Sequence, residues 1–305
     1  MVKGVKQISK FIIRIGVSLL LFAWLLSRTD KGELLAAIRA MSLKSYMAAL
    51  LMYLTSQVVS SGRWHIITRS LGFPGDFVRH LKYYFVGMYF NLFLPTGVGG
   101  DLLKVIYLTK DSPKRLKATY TILLDRSSGL WAMYILGGLA TLFLATPLPH
   151  YMDMTLKGIA IGVIAFLFLH RPIYHFLNPH LKGRLARFDT PLILLDDTPT
   201  LLKAFFLSLI IQALGMGSIY VLGRGMDLPV EWGYYFSMFP LVALAILLPI
   251  SFNGIGVREG GFIYFLGLRG VPQEKALTLS LGFFSIQVIS SLLGGIIYGL
   301  GLHRR

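Results

Sequence analysis

The chain has 305 residues, of which 55% are hydrophobic and only 14% charged, with a formal net charge of +16 and no cysteine. A soluble domain carries about a quarter charged residues, so this composition excludes one, and the missing thiol excludes disulfides and thiolate chemistry. The basic residues are spread over loops between apolar runs, which fits cytoplasmic loops against anionic lipid and not a nucleic-acid surface.

In chain order, Lys3, Lys6 and Lys10 precede an apolar run over 11–27 that is broken only by Arg14. No small-x-small cleavage site follows, so the run reads as a retained helix and not a signal peptide. Arg14 lies near its start, where it can snorkel to the interface. Residues 46–67 form the next apolar helix, which ends in Gly62-Arg63-Trp64-His65. Arg63 and Trp64 read first as an interfacial anchor; contact with a ligand is the alternative that keeps Arg63 among the site candidates.

The run at 81–94 is too short to span and stops at Leu94-Pro95-Thr96-Gly97-Val98-Gly99-Gly100-Asp101. A still shorter apolar stretch, 102–109, follows. A re-entrant hairpin accommodates both halves, provided that its irregular backbone is buried in protein or lines a wet cavity. A basic turn over 110–117 leads into a long helix reaching residue 145, with Asp125-Arg126 inside it. The stretch 155–169 is a shorter crossing. Residues 171–200 make the longest polar connection, with Lys182, Arg184 and Arg187 interleaved with apolar residues as on a surface-lying amphipathic helix. His170, His175 and His180 recur every five residues, which is not one helical face, and no carboxylate joins them, so no metal site is read there. Residues 201–222 cross again. The run at 232–248 stops at a second break, Leu248-Pro249-Ile250-Ser251-Phe252-Asn253-Gly254-Ile255-Gly256-Val257-Arg258-Glu259, and 260–268 leads out of it. The last helix, 276–302, carries Gly294, Gly295 and Gly299 for close packing.

The two breaks match. Each opens with Leu-Pro, runs through glycines to a charged residue, and continues through a short helix and a turn holding Pro113 or Pro272 into a long helix. Two such breaks in a membrane chain point to a binding site near the midplane. The expected fold is an all-α polytopic membrane protein of one domain over 1–305, with inverted repeats and two re-entrant broken-helix hairpins. The first unit covers about 80–146 and the second about 231–302. With the N-terminus in the cytoplasm, the basic residues of the outer segments are only Arg28, Lys31, Arg39, Lys44, Lys157, Arg224, Arg269 and Lys275, against sixteen inside, from Lys3, Lys6 and Lys10 to Arg304 and Arg305. That bias supports cytoplasmic N- and C-termini in a multi-pass cell-membrane protein, with the two units inverted.

The charges left inside the membrane are Asp101, Lys104, Asp125, Arg126, Arg258 and Glu259. Each costs about 2.5–3.5 kcal/mol at the bilayer centre on insertion scales, so they must pair or line water. Either they lock the hairpins or they wall a polar cavity that exchanges partners with a charged head group. Gly97, Gly99, Gly100, Gly254 and Gly256 permit positive φ and close backbone approach, and Asn253 of the second break is a further site candidate. The short helices that follow direct their N-termini at the midplane, where unpaired N–H groups favour an anion such as a lipid phosphate. Arg126 and Arg258 add bidentate donors. These residues define a cavity for an anionic or zwitterionic amphiphile.

Arg63-Trp64, the 94–101 stretch, Asp125-Arg126 with Ser127-Ser128-Gly129, and Asn253 to Gly260 together resemble the transmembrane region of lysylphosphatidylglycerol synthases and the stand-alone flippase-like proteins related to it. The resemblance runs from about residue 10 to 300. It implies a lipid flippase with inverted halves and re-entrant helices. Bifunctional members carry a soluble aminoacyl-transferase domain after the membrane part. The chain ends at Arg305 without room for one, so lysyl transfer is not expected. Relatives are associated with hopanoids and with polyprenyl-linked sugars, so the resemblance names no cargo. No Ser–His pair of an intramembrane protease, no His-Glu-x-x-His and no large acidic outer loop is seen, and no enzyme is expected. The expected partners are membrane lipids and no nucleic acid, with homo-oligomerisation left open and no cofactor. The alternative function is a channel or secondary transporter for a small solute or ion.

Overall fold

The computed structural model describes residues 2–94, 99–110, 114–144, 148–177 and 197–304. Among these the regular elements are helices: α1 (Val2–Ser27), α2 (Lys31–Ala40), α3 (Leu43–Ser70), α4 (Phe77–Phe93), α5 (Gly99–Leu108), α6 (Arg115–Phe143), α7 (His150–Leu177), α8 (Thr198–Arg224), α9 (Trp232–Leu247), α10 (Val257–Gly267) and α11 (Gln273–Gly299), closed by a 3₁₀ turn at Leu302–Arg304. The protein is an all-α polytopic membrane protein. The apolar part of α7, α8 and α11 are each long and apolar enough to cross a bilayer by themselves, and α2 and α3 reach that measure only as a pair bent by 75°.

The spans differ in what surrounds them. Only 11% of the apolar window of α7 is buried, against 56% for α11. α7 is therefore peripheral and α11 central. α3 and α8 run antiparallel along their length, with Ser45 against Gly225, Met52 against Gly217 and Arg63 against Ser208. One apolar core joins α8 to α11 through Tyr235, Met238, Phe262 and Phe283. Another surrounds Trp64, Tyr84 and Ile122 between α3, α4 and α6.

α4 has 17 residues and α5 only 10. At 1.5 Å per residue that is about 25 and 15 Å, each less than the roughly 30 Å hydrocarbon core. α5 folds back along α4: the Gly100 N–H donates to Asn91 Oδ1 at 2.8 Å, Gly87 abuts Gly100 and Lys104, and the Tyr83 and Tyr107 rings stack at 4.9 Å. A methyl group on Gly100 would collide with the Gly87 carbonyl, so the hairpin closes only because both positions lack Cβ. α9 and α10, of 16 and 11 residues, form a second antiparallel hairpin. Here Gly254 meets Ile246, Gly261 meets Val242, and the Tyr234 hydroxyl donates to the Phe265 carbonyl at 2.7 Å. Its turn passes through Asn253, Gly254 and Gly256 at positive φ.

The two hairpins pack reciprocally. α4 leans on α11, where Gly294 admits the Phe85 backbone and Gly295 the Tyr89 ring. α9 leans on α6, where Gly137 admits Pro240 and the Phe236 carbonyl. Gly299, expected to help such packing, has no neighbour that a Cβ would meet.

Two readings of the connections change. α2 was not anticipated. It is a two-sided helix with Ala37 buried and Leu35 and Ile38 exposed, started by Asp30 accepting the Glu33 N–H at 2.9 Å. α7 continues past Arg171 to Leu177 with Pro172 inside it, so the start of the expected polar connection is helical. The basic stretch with Lys182, Arg184 and Arg187 lies outside the described residues.

Candidate functional site: a charged cavity between two hairpin tips

A cavity of about 530 Å³ opens among α3, α4, α5, α6, α8 and α11 and the second break. Described residues of both hairpins border it. The first contributes Asn91, Asp101 and Lys104, and the second contributes Leu247 and Asn253. Asp101 and Lys104 are one helical turn apart on α5, so one face of that helix carries both. Their ion pair measures 3.0 Å, and each side chain is 5% exposed. Asp101 also accepts a hydrogen bond from Arg126 Nε on α6. The preceding residue, Asp125, turns the other way on the helix and pairs with Arg63 Nε of α3 at 2.8 Å. Arg63 Nη1 donates to Ser208 Oγ on α8 at 2.7 Å. The absent side chain of Gly129 leaves room for that guanidinium, since a Cβ there would sit 3.3 Å from Nη1.

The ammonium of Lys104 lies 3.9 Å from the centre of the Tyr84 ring and 5.6 Å from that of Trp64. Ring faces attract a cation most strongly where water is excluded, so the aromatic pair and Asp101 together compensate the desolvation of Lys104. Trp64 is itself fixed by donating from Nε1 to Thr121 Oγ1 at 3.2 Å. The wall is graded. Arg63, Lys104, Asp101 and Asp125 are buried, whereas the Arg126 side chain is 45% exposed. Three cations face two carboxylates here, and both carboxylates are already engaged by protein cations.

Arg258 and Glu259 lie outside this wall. Arg258 donates to Glu259 Oε1 from Nε at 3.0 Å and from Nη2 at 2.5 Å, with its guanidinium 4.2 Å above the Phe284 ring. The other oxygen, Glu259 Oε2, accepts the Gly256 N–H at 2.6 Å, and Ser280 Oγ is 3.4 Å from Oε1. Side-chain exposure is 5% and 1%. The set is a closed cap on the start of α10. The backbone donors expected to meet an anion at the two helix starts also have protein acceptors: Asn91 for Gly100, and Glu259 for Gly256.

The other candidates fall as follows. Asn253, at φ 53°, borders the cavity. Gly99 starts α5 against the Leu94 side chain, Gly254 sits on Ile246, and Gly256 sits on Leu21 of α1. Gly97 lies outside the described residues. The anchor reading of Arg63-Trp64 is corrected, because they are 4% and 0% exposed and face the protein interior. A signal for this was present in the sequence, as Ser56, Ser60 and Arg63 fall on one helical face and make a polar stripe in an apolar helix. The amides of Gln212 and Gln287 and the Tyr84 ring also border the cavity. They were missed because nothing in their own segments distinguishes them.

Fold and site together define a polytopic membrane protein in which one helical hairpin delivers buried charge, and a second an asparagine, to an interior cavity. The family model described as lysylphosphatidylglycerol synthase TM region matches residues 11–295, and the chain belongs to that family. No curated protein matches the chain.

Proposed function

We propose that the protein is a lipid flippase that moves an anionic or zwitterionic amphiphile between leaflets. The head group crosses through the charged cavity while the tails stay in the bilayer. The observation that carries this reading is the convergence of both hairpins, through Asp101 and Asn253, on one polar cavity inside an apolar chain. The phosphate of the head group meets Arg126, the most exposed cation of the wall. Asp101 keeps Lys104 when Arg126 exchanges to the lipid, so neither buried charge is left uncompensated. Asp125 and Arg63 hold the rear wall.

In this reading both hairpins are re-entrant and come from opposite faces, so that α4–α6 and α9–α11 form inverted units rocking about the cavity. Support comes from arms too short to span and from the reciprocal packing of each hairpin on the other unit's long helix. The loop charges favour cytoplasmic termini in the cell membrane. The region matched by the family model is its transmembrane part, in keeping with a role that makes no covalent change to the lipid.

The test is translocation in vesicles reconstituted with the purified chain, using an acyl-chain-labelled phosphatidylglycerol and reduction of the label from outside. A protein-dependent rise in reducible label above one leaflet's share is expected. No rise for this lipid, or for a zwitterionic or polyprenyl phosphate one, together with passage of a small solute, would replace the flippase by the channel or solute-transporter reading.

A further inference from the structure

Arg14 stands apart from the other cations in the apolar parts of the chain. Arg63, Lys104, Arg126 and Arg258 each engage a carboxylate. No carboxylate of a described residue pairs with Arg14, which is half-buried at the start of the apolar part of α1, Ile13–Ser27. It borders a second hollow, of about 390 Å³, lined by Ile13, Arg14, Pro249 and Ile250. That hollow lies at the tip of the second hairpin, on a side that the charged cavity does not share. The neighbouring tip residues Leu248 and Ile250 are about half exposed, at 53% and 49%.

α1 is fastened to this tip. The Phe252 N–H donates to Ser18 Oγ at 2.7 Å, and a Cβ on Gly256 would sit 2.6 Å from Leu21 Cβ. Ser18 is one turn beyond Arg14, about 6 Å along the axis. The guanidinium is thus held beside the tip at a depth from which it reaches toward the membrane surface on the side of the N-terminus. A cation here needs an anion. Among the described residues no carboxylate supplies one, and the apolar rim formed by Ile13, Pro249 and Ile250 suits an acyl chain.

We propose that this hollow binds one phospholipid of the leaflet nearer the N-terminus, its phosphate on Arg14 and an acyl chain over Ile13 and Ile250. The site is separate from the cargo cavity and does not depend on flippase activity. Because α1 and the tip form its two walls, the bound lipid braces the hairpin whose other side carries Asn253 into the cavity.

The test uses the full chain in an uncharged detergent, titrated with short-chain phosphatidylglycerol and read by native mass spectrometry, with a thermal melt on each preparation to establish folding. Because the chain carries many basic loop residues and a second cation, Arg126, faces the cargo cavity, all variants are made in an Arg126→Ala background, and the readout is the tightest-bound lipid that remains and its change on substitution. Arg14→Gln should weaken that lipid roughly tenfold, the loss of one charge-assisted contact, and Arg14→Lys should retain much of the affinity. Ile250→Asp, which supplies Arg14 with a carboxylate, should also release the lipid. A diacylglycerol with the same chains but no phosphate should not compete. Unchanged affinity in folded Arg14→Gln, or full competition by the diacylglycerol, would overturn the site.

Discussion

The two hairpins share a plan and differ in how they spend their carboxylate. In each, a Leu-Pro break leads to a short helix whose third residue is acidic: Asp101 in α5 and Glu259 in α10. Glu259 is turned inward on its own hairpin, where one oxygen caps Gly256 and the other takes both donors of its neighbour Arg258. Asp101 instead joins two elements, taking Lys104 from α5 and Arg126 from α6, the second of which is 45% exposed. The second tip is also tied to α1 through Ser18. A closed pair holds a fold, whereas a shared carboxylate with one exposed partner can change partners. This difference is why the first hairpin is assigned the head group and the second is assigned the bracing.

The comparison can be broken at several points, and the largest effect is expected at the closed pair. Glu259→Ala leaves Arg258 buried without its anion and Gly256 without its acceptor. It should cost about 3–5 kcal/mol, seen as a large fall in the detergent melting temperature, while Glu259→Gln, which keeps the cap to Gly256, should cost less. At the rear wall, Asp125→Ala strands Arg63 and should approach the same loss. Arg63→Met in that background should recover part of it, and simple additivity of the two would mean that the pair is not coupled. Gly100→Ala drives a methyl group into the Gly87 carbonyl and should cost about 1–3 kcal/mol, or open the hairpin. Arg126→Ala should cost least, within about 1 kcal/mol, because its side chain is the most exposed of the wall's cations and Asp101 keeps Lys104.

The proposed inversion of the two units is open to a separate check, since the chain has no cysteine. Lys114→Cys and Pro272→Cys, each in the turn after a hairpin, should label from opposite sides of the membrane. Labelling from the same side would remove the inversion.

Much of this architecture was legible in the sequence because bilayer thickness is a strict ruler. Runs such as 81–94 and 232–248 are shorter than a span, and the helices end where these runs end, at Phe93 and Leu247. The paired charges at 101, 104, 125, 126, 258 and 259 stood out against an apolar background for the same reason. What a single sequence does not carry is which charges meet. Arg63 next to Trp64 has the composition of an interfacial anchor, and only the antiparallel packing of α3 on α8, with Asp125 arriving from α6, turns it inward. Arg258 and Glu259 looked equivalent to Asp101 and Arg126. The spacing of Gly256 and Glu259, three apart at a helix start, was the local sign of a cap, but that Ser280 and Phe284 would enclose the pair is a tertiary fact. α2 escaped notice because ten residues of mixed polarity bury little beyond Ala37.

The central claim is that Arg126 hands the head group across while the buried pairs only hold the frame. The most direct measurement is the translocation rate of acyl-labelled phosphatidylglycerol in vesicles holding wild-type or Arg126→Ala protein, with melts on the same preparations. The account predicts translocation by the wild type and its loss in an Arg126→Ala protein that melts within a few degrees of it. Wild-type translocation by that folded variant would contradict the account.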